Sequence, residues 1–175
     1  MNKTSTIILF AMTCFLVGAI TVKNLPQPIS TCFTPHTQCG NFIVDHINHA
    51  KQSIRIQAYG FTSEKIIDSL ILAKNRGVNV EIILDRSNFH RKKLDTIKLL
   101  RKHSIPVYQD NAKGIAHNKI MIIDNAKVIT GSFNFTKNAD YNNVENVVVL
   151  DDVNVASKYT ANWLHRFSNS TMIDF

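Results

Sequence analysis

The sequence predicts an α/β layered domain. Two observations carry the fold class. Strand-like apolar runs alternate along the chain with segments of helical spacing, the order from which layered α/β domains are built. Several of the strands, VNVEIILD and HNKIMIID among them, are apolar on consecutive residues, which calls for a sheet covered on both faces. A third observation, an apolar fraction of 45% in 175 residues, supplies the core of one domain and excludes a disordered chain.

The N-terminus reads as a targeting segment. MNKTST carries Lys3, and residues 7–20 are an apolar run. That run has the length of a signal-peptide core and falls short of the ~20 residues a spanning helix needs. Val17 and Ala19 fit the small-residue cleavage pattern. Residues 1–19 are therefore expected to be a cleaved signal peptide that delivers a secreted or periplasmic protein, with an uncleaved membrane anchor as the alternative. Residues 20–31, with two prolines, read as a linker, and 32–175 as the folded domain. Cys32 and Cys39 read first as a disulfide in an exported chain. A zinc site of Cys32, His36, Cys39 and His46, or two free thiols, are the other readings.

From Gly40 the pattern becomes regular. NFIVDHINHAK has helical spacing, and SIRIQAYGF alternates as a strand does. Ser63 is placed to cap the helix SEKIIDSLILAKNRG, and Gly77 to end it. VNVEIILD is a buried strand and RKKLDTIKLLRKH a basic amphipathic helix. IPVYQ is a short strand. HNKIMIID and AKVITGS are strands joined at Asp124-Asn125, a turn-forming pair. VENVVVL is a further strand, and ASKYTANWLHRF closes the chain as a helix with Tyr159, Trp163 and Phe167 on one stripe.

The chemistry concentrates in AHNKIMIIDNAKVITGSFNF, residues 116–135. Side chains alternate along a strand, so His117 and Lys119 share a face about 6.6 Å apart at the backbone. Ser132 and Asn134 share a face in the same way after the turn. An imidazole, an ammonium, a hydroxyl and an amide together suit a tetrahedral phosphate: one nucleophile and several donors for the oxygens. No carboxylate cluster of the Mg²⁺-holding kind is evident, so no metal or other cofactor is expected. Taken singly, each of these residues has an ordinary structural reading; it is their joint occurrence that points to chemistry.

H117-N-K119-I-M-I-I-D124 matches H-x-K-x4-D and resembles the signature of the phospholipase D superfamily. Gly131-Ser132 and Asn134 continue the match, and Glu145 in NVENVVV stands where the family has a further acidic residue. SIRIQAYGFTS, LDRSN and NWLHRF extend it, so the resemblance spans roughly residues 31–168 and points to the short, single-motif bacterial members. It implies a layered α-β-α sandwich around a central mixed sheet. It also implies a catalytic set of His117, Lys119, Asp124 and Glu145. His117 would attack phosphorus and form a phosphohistidine. A second histidine would protonate the leaving oxygen and then activate water. Lys119, Ser132 and Asn134 would bind the phosphate, and Glu145 would orient a histidine. For Asp124, a purely local structural role is also open.

The family's chemistry uses two histidines, and this chain holds one motif. HRKKLD begins as His90-x-Lys92, but Ile97 stands where its aspartate belongs and no Gly-Ser follows. The second histidine is then expected from a second copy, in a homodimer whose composite site lies on the two-fold axis.

The motif leaves the diester open. The net charge of +7 favours a polyanion, and Arg86, Arg91, Lys92 and Lys93 crowd one part of the chain as a candidate nucleic-acid patch, unless they are a solvated helix face. Tyr59, Phe61 and Phe89 are aromatic candidates for stacking bases. A metal-independent endonuclease acting on DNA or RNA is the first expectation. A phospholipase D meeting a phospholipid surface is the second, and a non-catalytic binding protein the third.

Overall fold

The computed structural model describes residues 28–35, 37–90 and 94–173. Residues 1–27, His36, Arg91, Lys92, Lys93 and the last two residues lie outside them, and with them the expected targeting segment, most of the linker and three of the four patch residues.

Eight strands form one mixed sheet. In chain order they are β1 (Ile29–Phe33), β2 (Ser53–Ala58), β3 (Asn79–Leu84), β4 (Val107–Asp110), β5 (Lys119–Ile123), β6 (Lys127–Gly131), β7 (Asn146–Asp151) and β8 (Ser170–Met172). They lie side by side as β1-β7-β6-β5-β2-β3-β4-β8. The β2-β3-β4 unit is parallel and the other pairings are antiparallel. The parallel pairs need crossovers, and α2 (Glu64–Asn75) and α3 (Leu94–Lys102) supply them.

Strand alternation sorts the core into two layers. Ile54, Ile56, Val80, Ile82, Met121 and Ile123 face α1 (Cys39–His49), α2, α3 and the short α4 (Lys137–Tyr141). Ile83, Ile120, Ile122 and Val128 face the single helix α5 (Val153–Ser168). The expected stripe of Tyr159, Trp163 and Phe167 packs there, with Trp163 stacked on Phe167 and its indole N–H donated to the Ile56 carbonyl. The layered fold with a central mixed sheet is as the sequence implied.

Some local expectations are corrected. The linker ends earlier than residue 31, because Ile29, Ser30 and Thr31 belong to β1 and pair with β7. Ser63 occupies the N-cap of α2 without a side-chain capping bond. The Thr62 and Ser63 N–H groups instead donate to the Phe135 carbonyl, where Phe61 and Phe135 form an isolated bridge. Gly77 does terminate α2, in the left-handed conformation at φ +93°.

Cys32 and Cys39 are joined in a disulfide that ties β1 to the first residue of α1. The pairing consumes both sulfur ligands of the zinc reading, and His46 packs edge-on against Phe42. Replacing both cysteines by serine is expected to lower stability by about 2 kcal/mol, since the closed loop is short. Thermal denaturation of the double variant, beside wild type with and without reductant, checks this; turnover at 25 °C should persist.

Candidate active site

The end of the sheet where β2, β3 and β6 finish and β5 and β7 begin gathers His117, Lys119, Ser132, Asn134 and Glu145. Lys119 is the first residue of β5 and is buried, its Nζ donating to the His117 carbonyl at 2.8 Å. Burial lowers the Lys119 ammonium below its ordinary pKa, with Glu145 opposing that shift. The His117 ring is exposed and lies against Tyr59, ring centroids 4.6 Å apart. Lys119 Nζ sits 5.2 Å from the centroid of the same Tyr59 ring. One aromatic side chain thus contacts both halves of the His-x-Lys pair, and the Tyr59 backbone N–H donates to the Asn118 carbonyl.

Asp85, immediately after β3, sets the height of that loop. Its carboxylate is 2% exposed and accepts from the Ser87 and Ala116 N–H groups. Burial alone would raise its pKa; the two backbone donors outweigh this and hold it low. Ala116 precedes His117, so a buried carboxylate just after β3 positions the His117 loop. Neither Tyr59 nor Asp85 stood out in the sequence as part of the His117 cluster. The signal was indirect: SIRIQAYGFTS and LDRSN extended the family resemblance without marking either residue.

Beyond β6 the backbone folds over β7. Gly131 has φ +143°, and a Cβ there would meet the Asn146 carbonyl oxygen at 2.3 Å. That close approach lets the Ser132 and Phe133 N–H groups both reach the Asn146 carbonyl. Phe133 and Phe135 are buried, leaving Ser132 and Asn134 on the opposite side, as alternation requires. Ser132 Oγ donates to Glu145 Oε2 at 2.5 Å and accepts from the Asn146 N–H. Glu145 also accepts from Asn143 Nδ2 at 2.8 Å. Its carboxylate is thereby directed to Ser132 and Asn143, and neither of these bonds reaches His117. Asn134 packs on Gly60, where a Cβ would approach Oδ1 to 3.3 Å, and that Oδ1 is buried without a protein partner.

Asp124 is corrected. It sits at the other end of β5, about 16 Å from Lys119 by strand rise. With Asn125 it turns the chain at positive φ (54° and 51°), and its carboxylate accepts from the N–H groups of Lys51, Gln52 and Ser53. It clamps the start of β2 and touches nothing in the His117 cluster. Burial would raise its pKa, but those three donors hold it low. A depressed carboxylate stabilises the fold above its unfolded pKa, and that contribution is lost as pH falls below about 3.9 toward the native value. Asp124→Ala should cost about 2–3 kcal/mol, because three donors lose a charged acceptor. Chemical denaturation at pH 7 and pH 3 checks it: the gap between wild type and variant should narrow in acid, while kcat at pH 7 stays near wild type.

Of the basic patch, Arg86 lies in the 3-10 turn after Asp85, beside the cluster.

Comparison with known proteins decides the family. The family described as "Cardiolipin synthase, PLD-like domain" matches residues 43–166. The chain belongs to the phospholipase D superfamily. Curated relatives named "Phospholipase D" include one from Rickettsia prowazekii, 48% identical over 84% of this chain and 71% of its own, and one from Rickettsia bellii, 50% identical over 79% and 68%. A "Mitochondrial cardiolipin hydrolase" of Chlamydomonas reinhardtii is 34% identical over 66% of this chain and 52% of its own. Among solved structures, the phospholipase D family member Nuc from Salmonella typhimurium superposes with a TM-score of 0.81 at 34% identity, over 85% of this chain and 99% of Nuc. NucT from Helicobacter pylori gives 0.77 at 29%, over 83% and 99%. The protein is therefore a phosphodiesterase of this superfamily with the single-motif fold.

Proposed function

We propose that the protein is a metal-independent endonuclease working as a homodimer through a phosphohistidine. The observation that carries the reading is the exposed His117 beside buried Lys119, with Ser132 and Asn134 at the same end of the sheet. The His117 ring nitrogen attacks phosphorus, a P–N bond forms and the P–O bond to the leaving nucleotide breaks. The leaving oxygen takes a proton from His117 of the second copy. That imidazole then takes a proton from water, the water oxygen attacks phosphorus, and the P–N bond breaks. Lys119 neutralises the phosphate oxygens and its low pKa comes from the burial that positions it. Glu145 holds Ser132, and the pair shapes the wall that Asn134 extends.

Exposure of His117 in the single chain leaves room for the second histidine. The net charge of +7 and the position of Arg86 beside the cluster support a nucleic acid as the polyanion. A second reading, phospholipase D activity on phospholipid, is favoured by the names of the Rickettsia relatives.

Purified protein in EDTA, given plasmid and single-stranded DNA in one series and phosphatidylcholine vesicles in another, tests the choice. DNA cleavage that His117→Ala abolishes is the expected result. Choline release with intact DNA would replace it with the lipid reading.

A further inference from the structure

An open groove of about 430 Å³ adjoins the cluster, walled by Tyr59, Phe89 and Ile115 and rimmed by Arg86, His90 and Gln109. Its size is that of a small-molecule site. We propose that this groove takes the nucleobase of the nucleotide whose phosphate lies on His117. The inference rests on the phosphodiesterase reading above and adds what the enzyme recognises beside the phosphate.

Three features point to a base. Tyr59 is shared: it forms a wall of the groove and lies against the His117 ring, 4.6 Å between centroids. An occupant of the groove is therefore next door to the reacting phosphorus. The walls are flat or apolar. Phe89 is half-buried, and Ile115, two residues before His117, is 60% exposed. Such surfaces stack heterocycles of any sequence.

Charge provides the third feature. Asp85 lines the groove, but its carboxylate is engaged by the Ser87 and Ala116 N–H groups. Among the described residues, the Arg86 guanidinium and the His90 imidazole are left at the rim. Among the described lining residues a quaternary ammonium headgroup finds no carboxylate free to balance it and meets a guanidinium, whereas a neutral base edge rich in acceptors meets donors. Occupancy requires the base to leave its stack.

The test compares chromogenic diesters with one 4-nitrophenyl leaving group each: thymidine 5′- and 3′-(4-nitrophenyl) phosphate, methyl 4-nitrophenyl phosphate and 4-nitrophenyl phosphorylcholine. One of the thymidine diesters is expected to exceed the methyl diester in kcat/KM by about tenfold, within the range of one stacked base. The ratio should fall toward one in Phe89→Ala. Phe89 also packs on the core, so Ile115→Glu, at an exposed position, serves as the second variant and should show the same collapse. Equal kcat/KM for the thymidine and methyl diesters overturns the base site and leaves the phosphodiesterase intact. Preference for the choline ester overturns it in favour of a lipid headgroup. If no diester turns over, the phosphodiesterase reading is at fault. Calorimetry with thymidine 5′-monophosphate against methyl phosphate then judges the groove alone: tighter nucleotide binding, weakened by Ile115→Glu, supports it, and equal affinity overturns it.

Discussion

His117→Ala is expected to abolish turnover, by about ten-thousand-fold or more, while leaving the fold unchanged. His117, the proposed nucleophile, is exposed, and among the described residues its aromatic contact is Tyr59, so truncation should remove chemistry without opening the core. The sharper consequence concerns mixtures. If each site needs one histidine as nucleophile and another as acid, and the two come from separate copies, a mixed dimer holds no complete pair. Co-expressing wild type with differently tagged His117→Ala should then lower activity per total protein as the square of the wild-type fraction. A linear decline would mean that one chain completes its own site. The measurement is turnover of a single diester across a series of expression ratios, with the subunit composition read by mass spectrometry.

Gly131→Ala is the second large effect. Alanine at φ +143° is strained, and its Cβ would fall 2.3 Å from the Asn146 carbonyl oxygen, a backbone atom that cannot swing aside. That carbonyl accepts from the Ser132 and Phe133 N–H groups, so the clash dismantles the crossing between β6 and β7. We expect a loss of about 2–4 kcal/mol, seen as a fall of roughly 6–12 °C in Tm. The surviving folded fraction should turn over at least about a hundredfold more slowly, because Ser132 and Asn134 shift together and small displacements of positioning groups are costly. Ser132→Ala removes one hydroxyl and leaves the backbone alone, so its Tm should stay within a few degrees of wild type. Thermal unfolding and kcat of the two variants, measured side by side, separate backbone geometry from hydroxyl chemistry.

The two variants also divide what was legible in the sequence from what was not. The elements were legible because strand and helix periodicities are local. β2, β3, β5, β6 and β7 lie where alternation or apolar runs placed them, and α5 turns Tyr159, Trp163 and Phe167 inward as its spacing required. The His117, Lys119, Ser132 and Asn134 spacings were legible, but of the four only Lys119 lies on a strand, since β5 begins there and β6 ends at Gly131. Gly131 and Ser132 could be named, yet nothing local says that the glycine exists to let the Asn146 carbonyl pass.

Three things needed the tertiary structure. Asp124 lies seven residues after His117 in the motif, which invites a shared role. A strand is long, however, and carries the two to opposite ends of the sheet, where Asp124 holds the start of β2. Tyr59 and Asp85 come from other strands altogether, and only the β5-β2-β3 order brings them under the His117 loop. β1 and β8 are edge strands of mixed polarity, formed by pairing with neighbours distant in sequence, and their own residues carry little pattern. By itself the sequence determined the superfamily and its phosphodiesterase class, since the motif rests on residue types at fixed local spacing. Which side chains carry the histidine, which aspartate steadies its loop and where a groove opens beside it were decided by strand order. Contacts between distant segments leave no periodic trace in any one of them.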